Sequence, residues 1–176
     1  SPESLAHARL VATSLGLDLQ VVELGEAATT LAAALGAATD RLRFGNLLAR
    51  IRSILASAEG LLGPHFKFEE LHLYPALEGF LGESGVKRLL NEHDGVFRSL
   101  KRIVELAQKD AWSEADRRSA QENLGLIYEH PVSCDGLSLW LERLPEEQSL
   151  QLSERLAAVR QQGTSFSEYD RERRNA

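Results

Sequence analysis

Apolar residues recur along most of this chain at the three-and-four spacing of a helix face, on which each residue turns about 100°. From Leu47 the rhythm runs through Ile51, Ile54, Ala58 and Leu61, then continues through His65, Glu69 and His72. A face that should bury is therefore hydrophobic in its first half and ligand-like in its second. Buried polar groups are costly unless they are paired or bind a metal. The rest of the chain must supply their partners.

The same pattern lays out the other elements. A short periodic piece, Leu5 to Leu15, ends at Gly16 and forms a lead-in over residues 1–17; His7 within it reads as structural or solvent-exposed. A first long helix is expected from about Asp18 to Phe44, with Leu24, Ala28, Leu31, Leu35, Ala38 and Leu42 on one face. Gly25 and Gly36 weaken it, and Phe44-Gly45-Asn46 reads as its stop and the next N-cap. The second helix carries the opening stripe and should end at Pro75 and the Gly-rich run from Glu78 to Gly85. A third, from about Val86 to Lys109, has Val86, Leu89, His93, Val96, Leu100, Ile103 and Ala107 on one face. Ser113-Glu-Ala-Asp116 is a Ser-x-x-acid start close to a capping box. It opens a fourth helix with the stripe Ala120, Leu124, Ile127, His130 or Pro131, Cys134, Leu137 and Leu141, closed by Pro145. An amphipathic helix from Glu146 to Gln161 and a polar tail over residues 162–176, expected to be disordered, complete the chain. The fold class is all-α: an up-down-up-down antiparallel four-helix bundle over residues 18–145, with a short N-terminal segment and an extra C-terminal helix.

In such a bundle, residues on neighbouring antiparallel helices share a level when they lie equally far from the turn between them. The midpoint of His65 and His93 is Gly79, inside the Gly-rich break. The midpoint of His93 and His130 falls between Ala111 and Trp112, just before the Ser113 start. Both land on turns placed by independent signals, so three inward histidines should meet. The first helix reaches that level near Gly25. There Glu23 lies at the edge of the apolar face, Glu26 points away, and Gln20 sits about a turn too early. Glu23 is thus the candidate from that helix, with a surface carboxylate as the alternative.

Imidazole and carboxylate ligands at a bundle centre suit Fe, with Mn or Zn as alternatives. His65 and Glu69, at i and i+4, can hold one metal, and Glu69 can bridge to a second. Asp135 is about 140° from His130 on an ideal helix, but Pro131 and Gly136 make this segment non-ideal. The bland reading of any one core histidine is a hydrogen bond to a backbone carbonyl; three at one level beside carboxylates favour metal. Glu70 reads as an outward, solvated acid or a brace behind a ligand, and His72 as a cap or core residue. Cys134 reads as a small buried hydrophobe, with ligation or redox chemistry as the alternative. Glu69-Glu-Leu-His72 also fits the ferritin-like Glu-x-x-His pair, but Leu90 and Ile127 stand where the second pair needs its carboxylates. No HExxH, P-loop, Cys-x-x-Cys or GxSxG element occurs.

Composition narrows the partners. Aromatics are only 6% while Leu and Ala abound, which favours helix-on-helix packing, and 176 residues suit one domain with its own core. A net charge of −6 argues against nucleic acid or an anionic membrane as partner. Apolar runs fall far short of the roughly 20 residues of a membrane span. The single cysteine excludes an internal disulfide, and the cytoplasm is the expected location. No basic-then-apolar segment opens the chain; the lack of any Met leads us to expect a trimmed start, which leaves a removed leader open.

His65-Phe-Lys-Phe-Glu69-Glu70 with Leu73-Tyr-Pro75, Glu92-His93-Asp94, and His130 with Asp135 resemble the second-, third- and fourth-helix motifs of the hemerythrin-like (HHE cation-binding) family. The resemblance covers roughly residues 20–145. It implies a four-helix bundle holding a non-haem, oxo- or carboxylate-bridged di-iron site, and roles in dioxygen carriage, in sensing oxygen, nitric oxide or redox state, or in iron handling. The chain departs from the pattern in lacking a first-helix histidine, in offering one histidine on the third helix, and in placing Cys134 where a glutamate is common. A mononuclear, asymmetric or degenerate site therefore stands beside the di-iron one. The expectation is an iron-binding protein that takes a small ligand such as dioxygen or nitric oxide and is not a turnover enzyme. The alternatives are a metal-free helical interaction module and a di-iron peroxide-consuming oxidoreductase. A protein partner and the oligomeric state stay open.

Overall fold

The computed structural model describes residues 41–175, apart from the side chains of residues 41–43, 47, 132, 133 and 135. The expected lead-in, most of the first helix and its Glu23 lie outside the described residues. Among the described residues every regular element is helical: α1 (Arg41–Phe68), a π-helical turn (Glu69–Leu73), α2 (Tyr74–Ala107), α3 (Glu114–Asp135), α4 (Ser138–Leu141), α5 (Glu146–Gln162) and α6 (Phe166–Asn175). No helix among them is long and apolar enough to cross a membrane.

Three apolar clusters stack along the bundle. At one end Phe44, Leu48 and Ile51 of α1 meet Ile103, Leu106 and Ala107 of α2, Trp112 and Ala120 of α3. In the middle Phe66 packs with Val96, Phe97, Leu100, Phe166 and Tyr169. At the other end Leu73, Tyr74 and Leu77 pack with Leu89, Leu137 and Leu144. The start of α1 thus faces the end of α2, and the end of α2 faces the start of α3. These three long helices run up, down and up.

Several boundaries differ from the sequence reading. Phe44-Gly45-Asn46 is not a stop but lies inside α1. Phe44 is buried against Trp112 with ring centroids 5.4 Å apart; burying such a ring is worth about 2 kcal/mol, more than the roughly 1 kcal/mol that a helical glycine costs. Pro75 does not end the second helix either. It has no N–H for the carbonyl four residues back, and the helix answers with a π-turn in which Tyr74 N–H reaches Glu69 O. The reversal comes inside the expected Gly-rich run, at Gly82, whose φ of 67° and ψ of 164° only glycine adopts at low cost. The most deeply buried line of α1 and the π-turn is Phe44, Leu48, Ile51, Phe66, Glu69 and Leu73, one residue beside much of the expected stripe; Leu61 and His65 are exposed. Both lines have helical spacing, so spacing alone could not choose between them. The fourth helix ends at Asp135 rather than at Pro145, which instead caps α5.

The start of α3 follows the expected capping chemistry. Asp116 N–H donates to Ser113 Oγ at 3.2 Å, and Ser113 N–H donates to Asp116 Oδ2 at 3.0 Å. Ser113→Ala is expected to cost about 1 kcal/mol in urea denaturation; an unchanged midpoint would count against the box as a source of stability.

The tail expected to be disordered is helical. Phe166 and Tyr169 share one face of α6 and are buried. Phe166 stacks on Phe97 at 4.7 Å, and the Arg173 guanidinium lies 4.4 Å above the same ring. Lys67 pairs with Glu172 at 2.9 Å and Lys101 with Asp170 at 2.7 Å. Two aromatics one turn apart suffice because a ready apolar face awaits them.

Candidate metal centre

The site sits between the middle and far clusters, where α2 and α3 turn His93 and His130 inward and α1 brings the half-exposed His65 to their edge. Ring centroids of His93 and His130 lie 4.8 Å apart, and those of His65 and His130 lie 6.3 Å apart. Glu69, 5% exposed, stands among them. Its Oε2 is 3.5 Å from His65 Nε2 and 3.1 Å from His93 Nε2. One ligand atom each from His65, Glu69 and His130 falls within 4.8 Å of the others.

The π-turn adds Tyr74 to this group. On an α-helix, residues five apart are about 140° from each other; the i→i+5 closure of a π-turn brings them onto one face. The Tyr74 hydroxyl consequently donates to Glu69 Oε2 at 3.2 Å and lies 2.6 Å from His93 Nε2. The other His93 nitrogen, Nδ1, is 2.8 Å from Glu70 Oε1. His93 is completely buried, with one carboxylate at each end of its ring.

Electrostatics follow from this arrangement. Burial would raise the Glu69 carboxyl, but the charge on His65 and the hydrogen bond and charge of His93 hold it at about 2. For His93, burial favours the neutral ring, and hydrogen bonds donated by the ring to Glu69 and Glu70 overcome it and raise the pKa. His130 is pushed down to about 4 by burial and then by His93. Burial and the neighbouring Glu69 charge push the Tyr74 phenol up. The site thus offers a carboxylate and a neutral imidazole from different helices, both in the ionisation state a cation needs.

Each expected site residue has a definite standing. His65, Glu69, His93 and His130 come together. Asp135 is the last residue of α3, but its side chain, like Glu23, lies outside the described residues. Cys134 Sγ is 3.4 Å from His130 Nε2. His72 stays apart, its ring 6.2 Å from that of Phe68. Glu70 is not an outward, solvated acid: its side chain is 7% exposed and held by His93, Tyr169 and Arg173. Sequence reasoning passed over Tyr74, Tyr169 and Arg173. Tyr74 stood in view in the Leu73-Tyr-Pro75 motif, whereas Arg173 gave no signal once its segment was read as disordered.

The donor set fits a cation. Ligand atoms around one ion at bond lengths near 2.1 Å stand at most about 4.2 Å apart. The observed group is slightly wider, and His65, whose side chain is 44% exposed, is free to swing in. His65, Glu69 and His130 would hold the ion, and His93 would join through Nε2 once Tyr74 releases that nitrogen.

Among known proteins, the sequence model described as the hemerythrin HHE cation-binding domain matches residues 21–143. No curated protein and no solved structure matches the chain. A match that spans well over half of the chain, centred on the helices that carry the histidines, is decisive, and the protein belongs to the hemerythrin HHE cation-binding domain family.

Proposed function

We propose that the protein binds iron at the His65–Glu69–His93–His130 cluster and uses it to bind or sense a small oxidant (dioxygen, nitric oxide or redox state) or to handle iron. The observation that supports this most is the convergence of three imidazoles from three helices on one buried carboxylate. Single buried histidines are ordinary, but three around an ionised glutamate match the donor chemistry of a non-haem iron site. Mn and Zn accept the same donors. Glu23 and Asp135 are the further ligands proposed for a second ion. Iron held there would supply redox chemistry and affinity for a diatomic ligand. The chain's own groups bind it, order its ligands and limit water. Among the described residues a cleft of about 230 Å³, lined by Asn91, Glu92, Gly95, Val96, Leu126, Glu129 and His130, lies beside His130, the side from which such a ligand would approach.

A second reading, a metal-free helical interaction module, draws on a different observation. Tyr74 and Glu70 already satisfy both His93 nitrogens, and no buried side-chain nitrogen or oxygen among the described residues lacks a partner. Elemental analysis and an optical spectrum of protein from iron-supplied cells separate the two. The iron reading expects one to about two irons per chain and near-ultraviolet bands that change on reduction. Protein free of metal would sink it. The metal-free reading expects His65→Ala, at a side chain 44% exposed, to leave thermal stability unchanged or improved.

A further inference from the structure

Glu70 is the best-anchored acid near the site, and it is anchored from the far end of the chain. Its Oε2 accepts from the Tyr169 hydroxyl at 2.8 Å and from Arg173 Nε at 2.7 Å; its Oε1 faces His93 Nδ1 at 2.8 Å. Arg173 is itself fixed, since Nη2 donates to Asp94 at 2.8 Å and the guanidinium lies over Phe97. A carboxylate on a helix surface would otherwise rotate into water. Here Tyr169 and Arg173 leave it one orientation, and that orientation captures His93.

We propose that α6 is a positioning strap for the metal centre: Tyr169 and Arg173 fix the Glu70 carboxylate, and Glu70 fixes the His93 ring with Nε2 turned toward Glu69. The physical warrant is general. A histidine that donates its second N–H to a carboxylate has its tautomer and ring orientation set before metal arrives, and removing such a partner costs about 10–100-fold in metal affinity. Neither Tyr169 nor Arg173 touches the ligand atoms. They are positioning residues acting through Glu70. Their effect on metal rests on the proposed iron site, whereas their effect on the His93 ring does not. Linkage makes the device reciprocal: whatever factor α6 docking adds to metal affinity, metal adds to α6 docking. A tenfold factor corresponds to about 1.4 kcal/mol. A segment some 100 residues away in sequence thereby becomes a lever on the site.

The test uses the full chain with Co(II) as a coloured probe, in Glu70→Ala, Arg173→Met and Tyr169→Phe. Glu172→Gln serves as control, because it breaks the exposed Lys67 pair on the same helix without touching Glu70. Glu70→Ala and Arg173→Met are expected to bind Co(II) about 10–100-fold more weakly at unchanged stoichiometry. Tyr169→Phe should fall between them and wild type, and Glu172→Gln should match wild type. In wild type, Co(II) should slow amide exchange across residues 166–175. Wild-type affinity in both Glu70→Ala and Arg173→Met would overturn the strap, as would an equal loss in Glu172→Gln. A wild-type protein that takes up no Co(II) sinks the iron reading instead. The strap is then read without metal from the His93 Nδ1–H proton resonance. That resonance should be slow to exchange in wild type and in Glu172→Gln and should be lost in Arg173→Met. Its persistence in Arg173→Met overturns the strap.

Discussion

Replacing Glu69 by alanine is expected to abolish metal uptake and to destabilise the metal-free protein by about 2 kcal/mol. Both effects follow from the position of one carboxylate. Glu69 lies within reach of His65 and His93 and accepts from Tyr74. Without it, only His65 and His130 remain of that group, on separate helices and with His93 Nε2 held by Tyr74, too few to hold a divalent ion against water. The metal-free protein also suffers, because a completely buried His93 loses one of its two carboxylates and the Tyr74 hydroxyl loses its acceptor. Glu69→Gln should bind no metal yet lose less stability, since its amide oxygen still accepts from Tyr74. The acid dependence has a definite sign. Glu69 is held at about 2 against an ordinary 4.5, so the folded state favours its ionised form. That contribution is fully present above pH 4.5 and is lost as the pH falls toward 2. The stability gap between wild type and Glu69→Gln should therefore close over that interval in urea titrations. Normal metal content in Glu69→Ala would remove Glu69 from the site.

The meeting of the histidines could be read from the sequence because an antiparallel bundle converts distance from a turn into height along the axis. That relation tolerates error. The chain passes Pro75 and reverses at Gly82, inside the expected Gly-rich run, and the predicted midpoint, Gly79, lies only a few residues away, within one turn of helix. The Ser113 cap was equally legible, since its chemistry is local. Tyr74 was not, because on an α-helix it points away from Glu69, and only the π-turn forced by the missing Pro75 N–H brings the two together. Nor was α6. Its composition is that of a solvated tail, and what orders it is a long-range face of Phe66 and Phe97 together with the buried Glu70. Of the two readings of Glu70, the brace is the one its contact with His93 supports, while its other partners come from a segment that local reasoning had dismissed.

The second large effect is expected at Gly63, and a neighbouring glycine supplies the comparison. A Cβ at Gly63 would stand 2.2 Å from Thr164 O, 2.4 Å from Ser165 C and 2.6 Å from Phe166 N. These are backbone atoms of the connection into α6, so no side chain can swing aside. α1 and this connection touch without a side chain between them, and that contact sets the height at which α6 begins. Gly63→Ala gains up to about 1 kcal/mol of helix propensity. The clash outweighs it, because relief requires moving Phe166 off its stack on Phe97, and overpacking a fixed contact costs about 3 kcal/mol. Gly60, one turn earlier, meets nothing within 4 Å, so Gly60→Ala should be neutral or slightly stabilising. The two substitutions are chemically identical and differ only in what faces them. Limited proteolysis should cleave Gly63→Ala ahead of α6 while α1 to α3 stay helical by circular dichroism, and Gly60→Ala should resist as wild type does. If Gly63→Ala proves as stable and as protease-resistant as Gly60→Ala, then α6 is not seated against α1 at this point, and the grip of Tyr169 and Arg173 on Glu70 loses the contact that sets its register.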